Sequence, residues 1–331
     1  MITVQNLTKH YGDFVAVDHL SFEIEEGHIY GFLGPNGAGK STTMNMMTGC
    51  LSATEGSVCV DGCDIFDQPK EAKRRIGYLP EQPPLYLDET PEEYLRFVGQ
   101  AKGLKGQRLN EQINEAIQLT RLEDVRHRRI SALSKGYKQR VGIAQAILAD
   151  PKVIILDEPT VGLDPIQIIE IRDLIRDLGR EHTVILSSHI LSEVQTLCEK
   201  ILIIAHGRLV AFDTPEHLEQ QMLTPNEIDL LCEGPFDRAV ELVRSAEHIR
   251  DFTCEQREGH RTAFRIYTDS TEICDVSREL FFAFAKNQMP LLEIDLKKAN
   301  LEDIFIQLTD IADDLLDETA PSLAQEGEKN A

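Results

Sequence analysis

Apolar and polar residues alternate through the opening of the chain, around Ile2-Thr-Val and over Val15–Ile24, and the alternation ends at Glu25-Glu26-Gly27. A period of two predicts antiparallel strands with one solvated face. The pattern then changes to apolar runs: Ile29-Tyr-Gly-Phe-Leu33, Ile76-Gly-Tyr-Leu79, Val153-Ile-Ile-Leu156 and Thr183-Val-Ile-Leu186. Short apolar runs between turn signals predict buried strands. Helical spacings fill the intervals. Leu95, Val98 and Ala101, then Ile113, Ala116 and Ile117, mark helices within 88–130. Val141, Ala144, Ile147 and Leu148 mark a helix that Asp150-Pro151 ends, and Ile166–Leu178 marks an amphipathic one. Strands alternating with helices predict an α/β fold around an open parallel sheet.

The rhythm changes again beyond Thr214-Pro215, with Thr224-Pro225 read as a linker. Glu227–Glu233 predicts a strand, Phe236–Ala246 a helix, and Asp251–Arg257 and Arg261–Thr268 two strands around Glu258-Gly259-His260. A helix over Glu272–Asn287, a strand over Leu291–Leu296 and a final helix over Leu301–Leu308 follow. The order βαββαβ with one extra helix predicts a small ferredoxin-like α+β module. No catalytic constellation stands out in it. From Asp310 onward Asp, Glu, Ala and Ser dominate, the composition of an acidic disordered tail. The expected domains are therefore 1–223, with a helical subdomain at about 88–150, then 224–309 and a tail at 310–331.

Composition narrows the partners. Acidic residues number 56 against 34 basic ones, a formal charge of −22. That balance argues against general affinity for nucleic acid, whose backbone needs Lys and Arg. No apolar run approaches the roughly 20 residues that a membrane helix needs, and the N-terminal residues lack a signal-peptide pattern. A cytoplasmic chain is expected. The seven cysteines are scattered and form no C-x-x-C. Cys59 and Cys63 come closest, but two thiols without nearby His or further Cys make a poor zinc site, so reduced thiols are expected.

The candidate chemistry centres on Gly34-Pro35-Asn36-Gly37-Ala38-Gly39-Lys40-Ser41-Thr42, which follows an apolar strand and opens a helix. This is G-x-x-x-x-G-K-S in the context that a P-loop requires. Its glycines let backbone N–H groups converge on a phosphate, and the helix N-terminus favours negative charge. Lys40 can reach the β- and γ-phosphates, and the Ser41 hydroxyl can ligate Mg²⁺. The chain is expected to bind a nucleoside triphosphate.

Other residues acquire meaning only beside that loop. Asp157 and Glu158 end a buried strand, and adjacent strand residues point to opposite sides, so the two carboxylates are expected to have different tasks. Asp157 suits the Mg²⁺ shell beside Ser41, and Glu158 suits polarising an attacking water. Tyr11, at a turn before Gly12-Asp13, reads either as a half-buried turn tyrosine or as a stacking surface for a base. Gln82, in Pro80-Glu81-Gln82-Pro83-Pro84, reads as a solvated loop residue or as one that completes a Mg²⁺ shell or orients a water. Ser134 reads as an N-cap and, with Gly136, as either a well-capped helix or a second anion site. His189 reads as structural or as a donor to a γ-phosphate oxygen. The cluster Arg126-His-Arg-Arg129 reads as a solvated face or a docking point.

Taken in order, the set is Tyr11, the P-loop, Gln82, Leu-Ser-Lys-Gly-Tyr at 133–137, Leu-Asp-Glu-Pro at 156–159, Gly-Leu-Asp-Pro at 162–165 and His189. The ordered set resembles the nucleotide-binding domain of ABC (ATP-binding cassette) ATPases over about residues 2–220. The resemblance implies a P-loop NTPase cassette fold with an antiparallel β subdomain and a helical subdomain, and ATP and Mg²⁺ as ligands. It implies that Tyr11 stacks on adenine, that Gln82 is the Q-loop residue and that His189 is the switch histidine. Ser134 and Gly136 would belong to the signature motif, which acts on the nucleotide of the opposite subunit, and Asp164 to the D-loop. The implied unit is a head-to-tail dimer, expected here as a homodimer, enclosing two ATP molecules. The usual signature is Leu-Ser-Gly-Gly-Gln, and here Lys135 and Tyr137 replace a glycine and the glutamine. Leu-Ser-Lys-Gly-Tyr resembles a form found among ABC-2-type exporters, including antibiotic, sodium and gliding-motility-associated systems.

That likeness implies an ATP-hydrolysing subunit that works with separate integral-membrane permease chains and sits peripherally on the cytoplasmic face of the membrane. The alternative is a soluble ABC ATPase acting on ribosomes or DNA. A single P-loop, the lack of a heptad run and the acidic balance all weigh against it.

Overall fold

The structure is a computed structural model that describes residues 1–221, 226–268 and 273–297. Its compact units divide between Pro215 and Glu216.

The first unit opens with strands β1 (Ile2–Tyr11) and β2 (Phe14–Ile24), paired antiparallel from Ile2↔Ile24 to Tyr11↔Phe14 across the turn Gly12-Asp13. Strand β3 (Ile29–Leu33) then runs into the P-loop and helix α1 (Lys40–Met47). Strands β4 (Glu55–Val60) and β5 (Cys63–Asp64), the short helix α2 (Pro69–Lys73) and strand β6 (Ile76–Leu79) follow. The helical part is α3 (Pro91–Ala101), α4 (Gly106–Leu119) and α5 (Lys135–Ile147). Strand β7 (Val153–Leu156), helix α6 (Pro165–Leu178), strand β8 (Thr183–Ser188), helix α7 (Leu191–Leu197) and strands β9 (Lys200–Ala205) and β10 (Arg208–Asp213) complete the sheet. Helix α8 (Pro215–Gln221) begins at the division between the units. Thr224-Pro225, read as the linker, lies outside the described residues.

Among the described residues the first unit holds two sheets. One is antiparallel, in the order β2-β1-β4-β5, and the other runs β10-β9-β3-β8-β7-β6. In the second sheet every pair is parallel except β9 with β10. Every residue of β3, β7 and β8 is buried. This is why these strands read as apolar runs, whereas β1 and β2 alternate. Ile2, Val4, Leu7 and Phe22 of the antiparallel sheet share a core with Tyr30, Phe32, Ile155 and Leu202 of the other. Phe22 and Phe32 meet edge to face at 5.5 Å.

The helical part has a separate core of Leu95, Leu109, Ile113, Ile117, Leu122, Ile130 and Val141. Thr90 caps α3 with Glu93 in a reciprocal capping box. Lys102 Nζ donates to the carbonyls of Gln145, Ala146 and Leu148, satisfying groups that the end of α5 leaves open. Arg126 has a partner within the chain. Its Nε donates to Glu92 Oε2 at 2.6 Å and fastens the loop before α5 to the first turn of α3.

The second unit, described by itself, comprises β11 (Asn226–Glu233), α9 (Phe236–Ser245), β12 (Ile249–Arg257), β13 (Arg261–Thr268), α10 (Ile273–Lys286) and β14 (Leu291–Lys297). Its sheet has the order β12-β13-β11-β14, antiparallel throughout. Ile228, Leu230, Phe264 and Ile266 pack against Leu242, Val243, Leu280 and Phe284 of the helices. This is the βαββαβ order expected of a ferredoxin-like module. The expected helix at 301–308 and the acidic tail lie outside the described residues.

The guanidinium of Arg126, joined by Arg96, holds the Glu92 carboxyl down at about 2 from its ordinary 4.5. A lowered carboxyl contributes stability above its unfolded-state value and loses it as pH falls toward the native value. Glu92→Gln should therefore lower the stability of the first unit by roughly 1.5–3 kcal/mol at pH 7, the range for hydrogen bonds to charged groups. The gap between variant and parent should close as pH falls from 4.5 toward 2. Urea unfolding at pH 7 and at acidic pH checks both the size and the direction.

Candidate functional site

The P-loop is held between β2 and β9. Gly39 adopts φ +101°, and a Cβ there would come within 2.6 Å of the Ala16 carbonyl oxygen, so this position needs glycine on both counts. The backbone N–H of Gly207 donates to the Ala38 carbonyl at 3.0 Å and fixes the loop to the β9–β10 turn. A cavity of about 650 Å³ opens above the loop from Asn36 to Thr42, and Tyr11, Phe14, Glu81, Glu158 and His189 also line it. Tyr11 and Phe14 are 51% and 63% exposed, aromatic residues left uncovered beside an anion-binding loop. Lys9 Nζ lies 5.4 Å from the centre of the Tyr11 ring.

Lys40 is buried, with its ammonium donating to the carbonyls of Gly34 at 2.7 Å and Pro35 at 3.2 Å. Burial pushes its pKa down, and Glu158, Asp157 and Glu81 oppose that shift. Glu158 Oε1 stands 3.9 Å from the ammonium.

The two carboxylates sit at the end of β7, but not as strand alternation predicts. The strand stops at Leu156, and Glu158 takes φ +48°, so a left-handed turn separates the pair. Asp157 Oδ1 accepts from Ser41 Oγ at 3.2 Å and from Ser187 Oγ at 2.6 Å. The backbone N–H of Glu158 donates to the same Ser187 hydroxyl at 2.8 Å. Glu158 Oε2 lies 2.9 Å from His189 Nδ1. Ser187 thus links both carboxylate residues from the neighbouring strand. The sequence motifs do not single it out; its place in a Ser-Ser-His end of a buried strand was the available signal.

Lys40, Ser41, Asp157, Glu158, His189 and Tyr11 come together around one cavity or touch residues that line it. Gln82 does not: its side chain is exposed, and its neighbour Glu81 lines the cavity instead. Ser134 and Gly136 lie at the start of α5 and do not line the cavity either. The Ser134 hydroxyl accepts from the Tyr137 N–H at 3.4 Å as the N-cap. The Asp164 carboxylate accepts from the Gln167 N–H at 2.9 Å and caps α6.

A cleft with converging N–H groups, a buried ammonium and exposed rings fits a nucleotide polyphosphate and its base. Among the described residues no group of three or more His, Cys, Asp or Glu side chains could hold a metal by itself. The Ser41 hydroxyl and the Asp157 carboxylate are a hard-oxygen pair, the donor set that suits Mg²⁺ when phosphate oxygens and water complete the shell.

A family model described as ABC transporter matches residues 17–161. The bacitracin transport ATP-binding protein of Bacillus licheniformis is 36% identical over 93% of this chain and 97% of its own length. The linearmycin resistance ATP-binding protein of Bacillus subtilis is 32% identical over 93% of this chain and 98% of its own. Among solved structures, the ATP-binding subunit of an ABC transporter superposes with a TM-score of 0.61 at 31% identity, over 67% of this chain and 92% of that one. A dimeric ATP-binding cassette in a post-hydrolysis state with ADP and Pi gives 0.59 at 26% identity, over 65% and 98%. The chain belongs to the ATP-binding proteins of ABC transporters and is an ATPase.

Proposed function

We propose that the chain is the ATP-hydrolysing subunit of an ABC-2-type exporter, paired with a second cassette and with separate permease chains on the cytoplasmic face of a membrane. The observation that carries the exporter reading is length. The likeness to the bacitracin and linearmycin proteins spans 93% of the chain, and so runs through the second unit as well as the cassette. The roles of those two relatives make an antibiotic the class of cargo to test. No described helix is long and apolar enough to cross a membrane.

In this reading Tyr11 stacks on the adenine, and the N–H groups of 36–42 with Lys40 take the phosphates. Ser41 and Asp157 hold Mg²⁺, which would neutralise charge between the phosphates during transfer to water. Glu158 orients the attacking water and takes its proton, since it is the carboxylate facing Lys40 rather than the one bonded to Ser41. His189, bonded to the Glu158 carboxylate, fixes the direction in which that carboxylate points. Ser134 and Gly136 of one copy close over the nucleotide of the other. Gln82 precedes Tyr86, Leu87 and Phe97, which are each about half exposed, with the Tyr86 and Phe97 rings 5.2 Å apart. This apolar patch, five residues and more along the chain from Glu81 of the cleft, is the surface that permease chains would use.

Glu158→Gln should bind ATP as the parent does, hydrolyse it about 10²–10⁴-fold more slowly, the span for losing a general base, and persist as a dimer in ATP. Steady-state hydrolysis with size-exclusion chromatography measures all three, and near-parental turnover would overturn the role given to Glu158. An affinity pull-down of the tagged variant with ATP, from detergent-solubilised native cells, should recover a multi-spanning membrane protein. Recovery of ribosomes or DNA-bound proteins, with the chain absent from membranes, would replace the exporter reading with that of a soluble ATPase.

A further inference from the structure

Glu193, in the first turn of α7, is buried with 4% of its surface exposed and does not line the nucleotide cavity. A carboxylate taken out of water at that depth is costly unless its oxygens are bonded. Its Oε2 accepts from Thr160 Oγ1 at 2.6 Å and from Ser188 Oγ at 3.2 Å. Its Oε1 stands 3.4 Å from Arg172 Nη2 on α6.

These partners flank the hydrolytic pair. Thr160 is two residues past Glu158, in a turn closed by the bonds Val161 N–H to Glu158 carbonyl and Leu163 N–H to Thr160 carbonyl, both 3.2 Å. Ser188 precedes His189, and its hydroxyl also accepts from the Ile190 N–H at 3.0 Å. The Ile190 carbonyl in turn accepts from the Glu193 N–H at 3.2 Å. Both neighbours of His189 are therefore tied to Glu193. The circuit Glu158, Thr160, Glu193, Ser188, His189 closes through the 2.9 Å contact between His189 Nδ1 and Glu158 Oε2. Glu158 sits at φ +48°, a conformation that a non-glycine residue keeps only when its surroundings hold it there.

We propose that Glu193 is a positioning residue for ATP hydrolysis, a buried carboxylate that holds the turns carrying Glu158 and His189 at the spacing their contact needs. Through Arg172 it fastens the helix that follows Asp164 to the same point. The proposal rests on the reading of Glu158 and His189 as the hydrolytic pair. The P-loop is held by other contacts, at Ala16 and Gly207, so loosening the Glu193 circuit should slow turnover and leave nucleotide binding intact. A displacement of about 1 Å in a reacting group can cost about 10²-fold in rate.

The test uses the full chain with Thr160→Val, Thr160→Ser, Glu193→Ala and Glu158→Gln, measuring kcat, KM, ATP affinity and melting temperature. Thr160→Val keeps the side-chain volume and removes the donor, so it decides the matter even where Glu193→Ala does not fold. The expected result is a fall of about 10- to 100-fold in kcat for Thr160→Val and Glu193→Ala, with KM and ATP affinity within about threefold of the parent. Thr160→Ser, which restores the hydroxyl, should recover most of the rate. The proposal is overturned if Thr160→Val turns over within twofold of the parent, or if KM rises in step with the loss, which would make the circuit a general support of the cleft. Lost turnover in Glu158→Gln beside normal turnover in Thr160→Val overturns the positioning alone. Normal turnover in Glu158→Gln overturns the hydrolytic pair and the positioning with it.

Discussion

A buried ammonium sets the terms for the rest of the cassette. Lys40 is 6% exposed, and a charge at that depth is tolerated only with bonded carbonyls and opposite charge close by. Two P-loop carbonyls supply the first, and Glu158 and Asp157 supply the second. The carboxylates can stand there only if β7 and β8 run parallel beside β3, with the two residues that follow β7 level with the ends of the other two strands. The register delivers this: Leu33 pairs with Ser188, and Leu156 with Leu186. Because these strands are apolar on both faces, a slip of one residue would drive Ser187 or Asp157 into the hydrophobic layers, so packing and electrostatics select the same register. An acidic chain with a formal charge of −22 thereby presents a site built for a polyanion.

How much of this the sequence revealed depends on the range of each interaction. The P-loop is legible because its chemistry is local: glycines, a lysine and a helix start within nine residues. The strands of both units are legible because burial leaves its period in the chain, and the turn at Glu258-Gly259-His260 marks the hairpin of the second unit. Partners distant in sequence are not legible. Nothing near Arg126 announces Glu92, which lies 34 positions away, and nothing near Asp157 announces the Ser187 hydroxyl, which lies 30 away. The strand-alternation argument for Asp157 and Glu158 reached separate environments by a mechanism that the chain does not use. The strand ends two residues early, at Leu156, and the left-handed backbone of Glu158 does the separating. Gln82 shows the other limit, since the choice between it and Glu81 depends on how a proline-rich loop leaves β6, which no local pattern dictates.

The altered signature segment has a physical consequence inside a single cassette. Gly162, in the turn before α6, has φ +67°, and the Lys135 ammonium occupies the space that a Cβ there would need. Tyr137 lies under the Arg140 guanidinium, 6.0 Å from ring centre to carbon. Arg140 itself spans from the Thr120 carbonyl, at the end of α4, to Glu170 on α6. Both replacements for the usual Gly and Gln therefore face the element that carries Asp164, or the arginine that binds it. The start of α5 is thus set against the turn before α6 by Lys135, and α5 is tied to α6 itself by the ion pair of Arg140 with Glu170. Since α6 also reaches Glu193 through Arg172, a shift of the helical part has a continuous path of polar contacts to the turns that hold Glu158 and His189. A glycine at 135 would remove the contact with the turn at Gly162 and leave the packing of Gly136 on Gln167 and the ion pair with Glu170 to join α5 to α6.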